Sequence, residues 1–373
     1  MAENPKKEIT TDLTCGIVGL PNVGKSTLFN ALTKKQVPAS NYPFCTINPN
    51  VGVVILPDPR LSTLATLSHS KRIIPATVTF VDIAGLVKGA SKGEGLGNKF
   101  LANIRESNLI IHVVRCFEEE DITHVSGKVH PVEDAQIIEL ELMLSDLQSL
   151  SGIIDRLQRK DKVQKDSSAL LAVLCKAQKL LEEGSPIRKG SWTPDDLRYL
   201  AQFSFLTAKK MIYLANVSEA DIPQMDNIYV QQLRAYAEKE NSIVLPICAK
   251  LEEELATLSE LDAKEYLHSL NVKESALENL IRIVFQELGL ITFLTTGVEE
   301  TRAWTIRKGT AVAQAAGKIH SDLEKGFIRA EVLSFEDFVT YKSKTLAKEQ
   351  GKVRLEGKEY IVNDGDIIVV YHN

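Results

Sequence analysis

The chain has 373 residues, which corresponds to two or three domains at roughly 150 residues per domain. Its hydrophobic share of 44%, charged share of 25%, 21 glycines and 13 prolines are ordinary globular values, which exclude disorder, collagen-like repeats and coiled-coil fibres as the main class. The formal net charge of −5 excludes a uniformly basic nucleic-acid-binding protein, so any contact with nucleic acid must come from a local patch.

Cysteine usage and apolar run lengths indicate the compartment. The five cysteines are widely separated and include no Cys-x-x-Cys pair, which argues against a disulfide framework or a zinc site and fits a reducing cytosol. The polar N-terminus has no apolar signal segment, and the longest apolar run, 109–114, is far shorter than the about 20 residues of a membrane helix. We expect a soluble cytoplasmic protein with neither a membrane nor DNA as a partner.

Short β-rich runs alternate with helical patterns in the first part of the chain. This alternation predicts βαβ units and a mostly parallel sheet that is covered on both faces. A helix at 26–32 is expected directly after the first strand. The predicted strands are 12–18, 78–82, 109–116, 211–216 and 242–247.

The alternation stops after about residue 130, where apolar residues recur at three- and four-residue spacing over 137–157. A second helical stretch covers 167–181, and the polar segment 159–165 separates the two. This pattern predicts an antiparallel helical hairpin. A further helix is expected to begin after Thr193, because a hydroxyl followed by proline and two acids is a helix-start signal.

The composition changes again after about residue 288. Strands are predicted at 291–295, 302–306, 327–333, 352–355, 359–362 and 367–371, with one Ala-rich helix at 310–318. This is typical of a separate α+β module. We therefore expect an α/β nucleotide-binding domain formed by 1–130 and 206–287, a helical insertion at 131–205, and the module at 288–373.

The segment from Gly19 to Ser26 fits the phosphate-binding pattern G-x-x-x-x-G-K-S and lies between a predicted strand and a predicted helix. Backbone N–H groups of such a loop, together with the helix N-terminus, form a cradle for phosphate oxygens. Lys25 would bridge the β- and γ-phosphates and the Ser26 hydroxyl would bind Mg²⁺. The predicted phosphate-binding residues are Asn22, Val23, Gly24, Lys25, Ser26 and Thr27.

Two later motifs supply the parts of a nucleotide-dependent switch. Thr46, 20 residues after Ser26, is expected to give Mg²⁺ a second oxygen when a γ-phosphate holds its loop. Asp82 ends an apolar strand in an Asp-x-x-Gly motif, so it would hold a Mg²⁺-bound water while the Gly85 N–H reaches the γ-phosphate. Leu86 stands where GTPases carry their water-orienting Gln, so hydrolysis should be slow or use another group.

The base-recognition motif also departs from the GTPase pattern. Asn-Lys-x-Asp is replaced by Asn216-Val217-Ser-Glu219, while the segment Cys248-Ala249-Lys250 completes the base pocket by position. Adenine presents a donor at N6 that the Asn216 carbonyl can accept, and unpaired polar groups are costly in such pockets. We therefore expect ATP to be preferred over GTP, with a strand-capping role as the alternative for Asn216.

These motifs together resemble the Obg-related family of translation-factor NTPases, and specifically its YchF or Obg-like ATPase branch. The resemblance extends over essentially the whole chain. It includes residues 19–26, 41–52, 82–106 and 216–219, the helical insertion and the C-terminal module. That module, from 301 to 366, is similar to a TGS domain, a ubiquitin-like β-grasp unit.

The resemblance implies cytoplasmic ATP hydrolysis without a catalytic Gln and association with ribosomes or ribosomal RNA. It also implies that Asn22 helps to hold K⁺ beside the phosphates, as a second cation besides Mg²⁺. His124 corresponds to a loop histidine that assists the attack of water, and an imidazole can accept a proton near pH 7. A solvent-facing loop histidine is the alternative for His124.

The sequence therefore predicts an ATP-hydrolysing molecular switch that acts with ribosomes. One alternative is a nucleotide-sensing adaptor whose hydrolysis is incidental, which Leu86 favours. The other is a conventional GTPase, which Val217 and Glu219 make the least favoured.

Overall fold

The computed structural model describes residues 13–34, 50–82, 96–119, 128–160 and 165–373. The chain divides into two compact units, of which the first comprises Met1–Gly52 and Thr79–Leu277 and the second Val53–Val78 and Glu278–Asn373. Among the described residues, no helix combines the length and apolar character that crossing a bilayer requires.

The described residues form twelve strands and fourteen α-helices. The strands are β1 (Thr14–Val18), β2 (Val51–Ile55), β3 (Ile73–Ile74), β4 (Thr77–Asp82), β5 (Leu109–Arg115), β6 (Lys210–Asn216), β7 (Ile243–Ile247), β8 (Leu290–Thr296), β9 (Thr301–Arg307), β10 (Phe327–Leu333), β11 (Arg354–Glu356) and β12 (Ile367–His372). The helices are α1 (Lys25–Lys34), α2 (Pro59–Ser68), α3 (Leu96–Glu106), α4 (Pro131–Lys160), α5 (Lys165–Glu182), α6 (Pro194–Leu200), α7 (Ile228–Glu238), α8 (Ala249–Leu255), α9 (Glu260–Ser269), α10 (Ala276–Glu287), α11 (Val312–Ile319), α12 (Ser321–Lys325), α13 (Phe335–Tyr341) and α14 (Lys344–Glu349).

The first sheet has the strand order β2-β4-β1-β5-β6-β7. The pairs β1–β4, β1–β5, β5–β6 and β6–β7 are all parallel. At the β2 edge, hydrogen bonds from Leu56 to Ala76 and from Asp82 to Asn50 run in opposite chain directions, which makes β2 antiparallel to β4. Every residue of β5 is buried, as expected for a parallel strand covered on both faces. The predicted mostly parallel sheet is confirmed.

The helical insertion consists of α4 and α5, and α5 packs back against α4 through a shared apolar core. Leu150, Leu174 and Ala177 are fully buried at that contact. Helix α6 begins at Pro194, and the Thr193 side chain caps it in a reciprocal capping box, as the start signal predicted.

Asp146 of α4 fastens the insertion to the segment that leads back into the sheet. Its side chain is completely buried and accepts hydrogen bonds from the N–H groups of Leu206 and Thr207 at 3.0 and 2.8 Å and from the Thr207 hydroxyl at 2.7 Å. Burial raises the pKa of this carboxyl, while the three donors oppose that effect. The two N–H groups and the Thr207 hydroxyl therefore have the Asp146 carboxylate as their shared acceptor.

A second attachment joins α4 to α3. Arg105, near the end of α3, donates to the hydroxyls of Ser145 and Ser149 at 2.9 Å each. Lys209 donates to the Arg105 carbonyl at 2.9 Å, so the chain returning to β6 closes the same contact. Helix α3 and the insertion are thus bonded side chain to side chain.

A third attachment is a buried cluster around Arg188. Its guanidinium contacts the carboxylates of Glu139 on α4 and of Glu240, the latter at 2.9 Å. The Tyr213 hydroxyl on β6 donates to Glu240 at 3.0 Å, and the Tyr236 hydroxyl on α7 donates to Glu139 at 2.7 Å. Both buried carboxylates thus have charged and hydroxyl partners, which is the condition for burying them without a large cost.

The second sheet has the order β11-β10-β12-β8-β9-β3. The hairpin β8–β9 is antiparallel, α11 follows it, and β12 returns parallel to β8 at the centre of the sheet. Phe293, Ala315, Ala330 and Ile368 are buried where α11 covers one face. This is the β-grasp arrangement that the sequence analysis predicted for the C-terminal module.

The second unit also takes residues 53–78, which the sequence boundaries placed with the nucleotide-binding domain. Strand β3 pairs parallel with β9 as the edge of the second sheet. Arg60 on α2 binds Asp364 at 2.8 Å and the Thr292 hydroxyl at 3.0 Å. These contacts join positions more than 200 residues apart, so local sequence patterns do not reveal them.

The strand predicted at 359–362 is wrong. Only Ile361 takes part in sheet pairing, as a single bridge to Ala311. The Asp366 carboxylate accepts from the Tyr360 hydroxyl and the Asn363 N–H at 2.8 Å each, so side-chain bonds fold this segment into a turn.

We predict that Asp146→Ala lowers the free energy of unfolding by about 3 kcal/mol, because it leaves buried donors without an acceptor. Asp155→Ala is the matched control, since Asp155 is exposed on the same helix. The control should change stability by less than about 0.5 kcal/mol. Urea unfolding followed by circular dichroism measures both, and equal losses in the two variants would contradict the role of Asp146.

Candidate functional site

The predicted phosphate loop follows β1 and has a backbone that only glycine allows at two positions. Gly19 and Gly24 have φ values of +153° and +98°, and Asn22 lies in the left-handed region at +61°. A Cβ atom at Gly19 would lie 2.4 Å from the Val113 carbonyl oxygen, and one at Gly24 would lie 2.3 Å from Nδ2 of Asn216. The loop is therefore held against β5 and β6 at distances that no side chain permits.

Lys25 is the first residue of α1, and its side chain is buried at this loop. Its ammonium donates to the Leu20 carbonyl at 2.5 Å. Burial lowers the pKa of Lys25 to about 8, and the nearby Asp82 carboxylate opposes that shift. Ser26 and Thr27 follow in the first turn of α1, where Ser26 is exposed.

Asp82 ends β4 next to the phosphate loop, in register with Ile17 of β1. Its N–H donates to the Asn50 carbonyl at 2.9 Å. Its Oδ1 atom is buried and has no hydrogen-bond partner among the described residues. Burial raises the pKa of this carboxyl and the Lys25 ammonium opposes the shift. A buried carboxylate oxygen without a donor fits a metal-bound water, because such water supplies the missing hydrogen bond.

A metal ion here would depend on oxygen atoms from outside the protein. Within the described ranges, no group of three or more His, Cys, Asp or Glu side chains is arranged to hold a metal. Ser26 offers one hydroxyl and Asp82 one carboxylate, which suits Mg²⁺, since that ion keeps water and phosphate oxygens among its ligands.

Asn216 lies at the end of β6 and is buried against the phosphate loop. Its Nδ2 donates to the Val23 carbonyl at 2.9 Å, and its Oδ1 accepts from the Ala249 N–H at 3.0 Å. One carboxamide thus joins the loop, β6 and the start of α8. The structure shows a structural role for Asn216, and its predicted contact with a base stays a prediction.

The predicted base pocket has a buried apolar floor. Val217 and Cys248 are each 2% exposed, and Ala249 is buried beside them. The Val217 N–H donates to the Ile247 carbonyl at 2.8 Å, which continues the β6–β7 pairing beyond Asn216. Burial raises the pKa of the Cys248 thiol, so this cysteine is a packing residue and not a nucleophile.

Glu219 lies at the rim of this pocket and is paired with Lys250, which the sequence analysis placed in the pocket by position but not in contact with Glu219. The Lys250 ammonium contacts Oε2 of Glu219 at 2.6 Å. Sequence spacing gave no signal for this pairing, because 31 residues separate the two side chains.

Arg115 is a residue that the sequence analysis missed. It ends β5 in register with Asn216 and is 2% exposed. Its guanidinium donates to the carbonyls of Phe117 and Glu119 at 3.0 and 3.2 Å. Arg115 therefore holds the start of the segment that leads towards position 120.

Four of the residues discussed in the sequence analysis lie outside the described residues: Thr46, Gly85, Leu86 and His124. The structure brings together Asn22–Thr27, Asp82, Asn216–Glu219, Cys248 and Ala249 at the carboxyl ends of β1, β4, β6 and β7. Ligand sites of open α/β sheets lie at this edge.

Comparisons with known proteins identify relatives over nearly the whole chain. Residues 14–145 match the model of a 50S ribosome-binding GTPase, and residues 290–373 match the YchF GTPase C-terminal model, which is described as a protein of unknown function. The ribosome-binding ATPase YchF of Escherichia coli O157:H7 is 53% identical over 355 residues, which are 95% of this chain and 97% of that protein. The protein of the same name from Bacillus subtilis is 48% identical over 359 residues, with coverages of 95% and 98%. The solved YchF GTPase of Schizosaccharomyces pombe is 38% identical, has a TM-score of 0.88, and is matched over 96% of this chain and 98% of that one.

We predict that binding of a nucleoside triphosphate takes up protons above about pH 8. Lys25, with its pKa at about 8, is partly neutral there, and a neighbouring phosphate would raise its pKa and restore the charge. Affinity should therefore fall as pH rises through this range. Calorimetry in buffers of different ionisation enthalpy measures the uptake at about pH 9, with about pH 7 as the control.

Lys25→Arg is the second control, because arginine keeps its proton throughout this range. Proton uptake by the wild type that is equal at the two pH values would contradict the assignment to Lys25.

Proposed function

The chain belongs to the YchF family, and from this premise we propose that it is a Mg²⁺-dependent ATPase that works as a molecular switch with ribosomes. The observation that carries the proposal is the pairing of Lys25 with Asp82 at the phosphate loop. Lys25 has a lowered pKa beside Asp82, whose buried Oδ1 lacks a donor among the described residues. Phosphate oxygens and a metal-bound water are the groups that would satisfy both side chains.

In this proposal, Ser26 would hold Mg²⁺ directly, Asp82 would hold it through water, and Thr46 would add an oxygen in the triphosphate state. The ion neutralises charge on the β- and γ-phosphates when it is bound. Lys25 would bind the same phosphates, and the N–H of Gly85 would reach the γ-phosphate. Asn22, at φ +61° in the loop, is the residue proposed to hold K⁺ beside them.

Hydrolysis must orient water without the usual glutamine. Leu86 has no polar atom in its side chain, so we assign water activation to another group, with His124 as the proposed base. An imidazole whose pKa lies near neutrality can accept a proton at physiological pH. We therefore expect slow intrinsic turnover, because Leu86 supplies no polar group that could orient water.

The base pocket favours adenine over guanine. Val217 is buried where GTPases present a lysine, and the Glu219 carboxylate already has Lys250 as a partner. Guanine needs a free carboxylate for its N1–H and N2 amine. A pocket that leaves such donors unpaired discriminates by a large factor.

The remaining domains supply the proposed ribosome contact. The insertion, 131–205, and the C-terminal module, 288–373, which we propose to be a TGS domain, would present surfaces to the ribosome or its RNA. The curated relatives from Escherichia coli and Bacillus subtilis carry ribosome binding in their names, which supports this assignment.

The first test is the affinity for ATP, ADP and GTP by calorimetry with Mg²⁺ and K⁺, followed by phosphate release with and without ribosomes. We expect ATP to bind at least about tenfold more tightly than GTP, equivalent to about 1.4 kcal/mol, and ribosomes to accelerate hydrolysis. Equal or tighter GTP binding would contradict the proposed base preference. Unstimulated turnover with a protein partner bound only in the ATP state would favour the adaptor function that Leu86 suggests.

We predict that Asp82→Asn lowers ribosome-stimulated ATP hydrolysis by at least about tenfold, because an amide holds a metal-bound water less well than a carboxylate. ATP affinity should also respond less to Mg²⁺ than in the wild type. Asp262→Asn makes the same chemical change at an exposed site on α9, outside the insertion, and should leave both properties unchanged. Full activity of the Asp82 variant would contradict the proposed role of Asp82 in holding Mg²⁺.

A further inference from the structure

The ion pair between Glu219 and Lys250 lies beside the residues that define the proposed base pocket. Glu219 follows Asn216 by three positions, and Lys250 follows Ala249, whose N–H is bonded to Asn216. The ammonium and the carboxylate are 2.6 Å apart, with 67% and 44% of the two side chains exposed. Both groups therefore remain accessible at the rim of the pocket.

The two purine bases differ in what they present to such a pair. Guanine presents an N1–H and an N2 amine, both donors, which require a free acceptor. Adenine presents N1 as an acceptor, which a carboxylate repels and an ammonium attracts. A carboxylate that already binds an ammonium is therefore a poor partner for guanine, while the ammonium itself is a donor suited to adenine.

We propose that Lys250 is a specificity-determining residue that selects adenine in two ways. Held by Glu219, its ammonium donates to N1 of adenine. At the same time it occupies the carboxylate that guanine would need. The inference rests on the proposed function, since it concerns the base of the nucleotide bound there.

The surroundings of Lys250 keep it charged for this task. Glu219 contributes most, and Glu254 on α8 and Glu119 add to the negative field, so the pKa of Lys250 is raised. An exposed ion pair adds little to stability, so removing it should leave the fold intact. A bound base would cover the pair and strengthen its hydrogen bonds by excluding water.

The test is the GTP-to-ATP ratio of dissociation constants for the full chain, measured by calorimetry with Mg²⁺. Lys250→Met removes the ammonium and frees Glu219, so we expect weaker ATP binding, tighter GTP binding and a ratio reduced by about threefold or more. Lys264→Met is the matched control. Lys264 forms a similar pair with Glu260 at 2.7 Å on α9 and is 71% exposed.

Glu219→Gln separates the two parts of the proposal. It leaves Lys250 without its anionic partner, so ATP binding should weaken. Because the glutamine amide is no carboxylate that guanine could use, GTP binding should improve less than in Lys250→Met. A ratio for Lys250→Met within twofold of the wild type would overturn the inference, and so would an equal shift in Lys264→Met. Failure of the wild type to bind ATP would overturn the proposed function as well, which distinguishes the two failures.

Discussion

The candidate site depends on the buried carboxamide of Asn216. It donates to the carbonyl of Val23 in the phosphate loop and accepts from the N–H of Ala249 at the start of α8. Gly24 approaches the same amide so closely that a side chain at that position would collide with it. The proposed phosphate-binding and base-binding residues therefore share one hydrogen-bonded junction.

The helical insertion is attached to this nucleotide-binding framework at buried polar points instead of by apolar contact alone. Arg105 bonds α3 to α4, Asp146 bonds α4 to the returning chain, and Arg188 joins α4 to the side chains under β6 and α7. Helix α3 directly follows residues 83–95, which contain Gly85 of the Asp-x-x-Gly motif and three further glycines at positions 89, 93 and 95. A displacement of α3 therefore acts on α4 through directional bonds, which tolerate less slippage than apolar packing.

The sequence was sufficient wherever structure follows from local pattern. The phosphate loop between β1 and α1, the parallel strands and the insertion α4–α5 all follow from motif spacing and apolar periodicity, and the structure has each of them. The sequence was insufficient where contacts between residues distant in the chain determine the local structure. Strand β3 is too short to have a sequence pattern of its own. The hydrogen bond between the Tyr360 and Asp366 side chains favours a turn where a strand was predicted. Lys250 and Glu219 come into contact only in the folded chain. Asn216 was predicted from its motif, but its role as a tether required the position of Val23.

The placement of residues 53–78 in the second unit has a consequence for how the protein is made. Strand β3 and helix α2 leave the ribosome early, whereas their partners β8 and β9 are synthesised more than 200 residues later. Leu61 and Leu64 are buried in the folded protein. During translation they stay exposed until the strands of the second sheet have been synthesised. The second unit therefore cannot fold until β8 and β9 have been synthesised, and chaperones on the nascent chain would have to shield the apolar side chains of α2 until then.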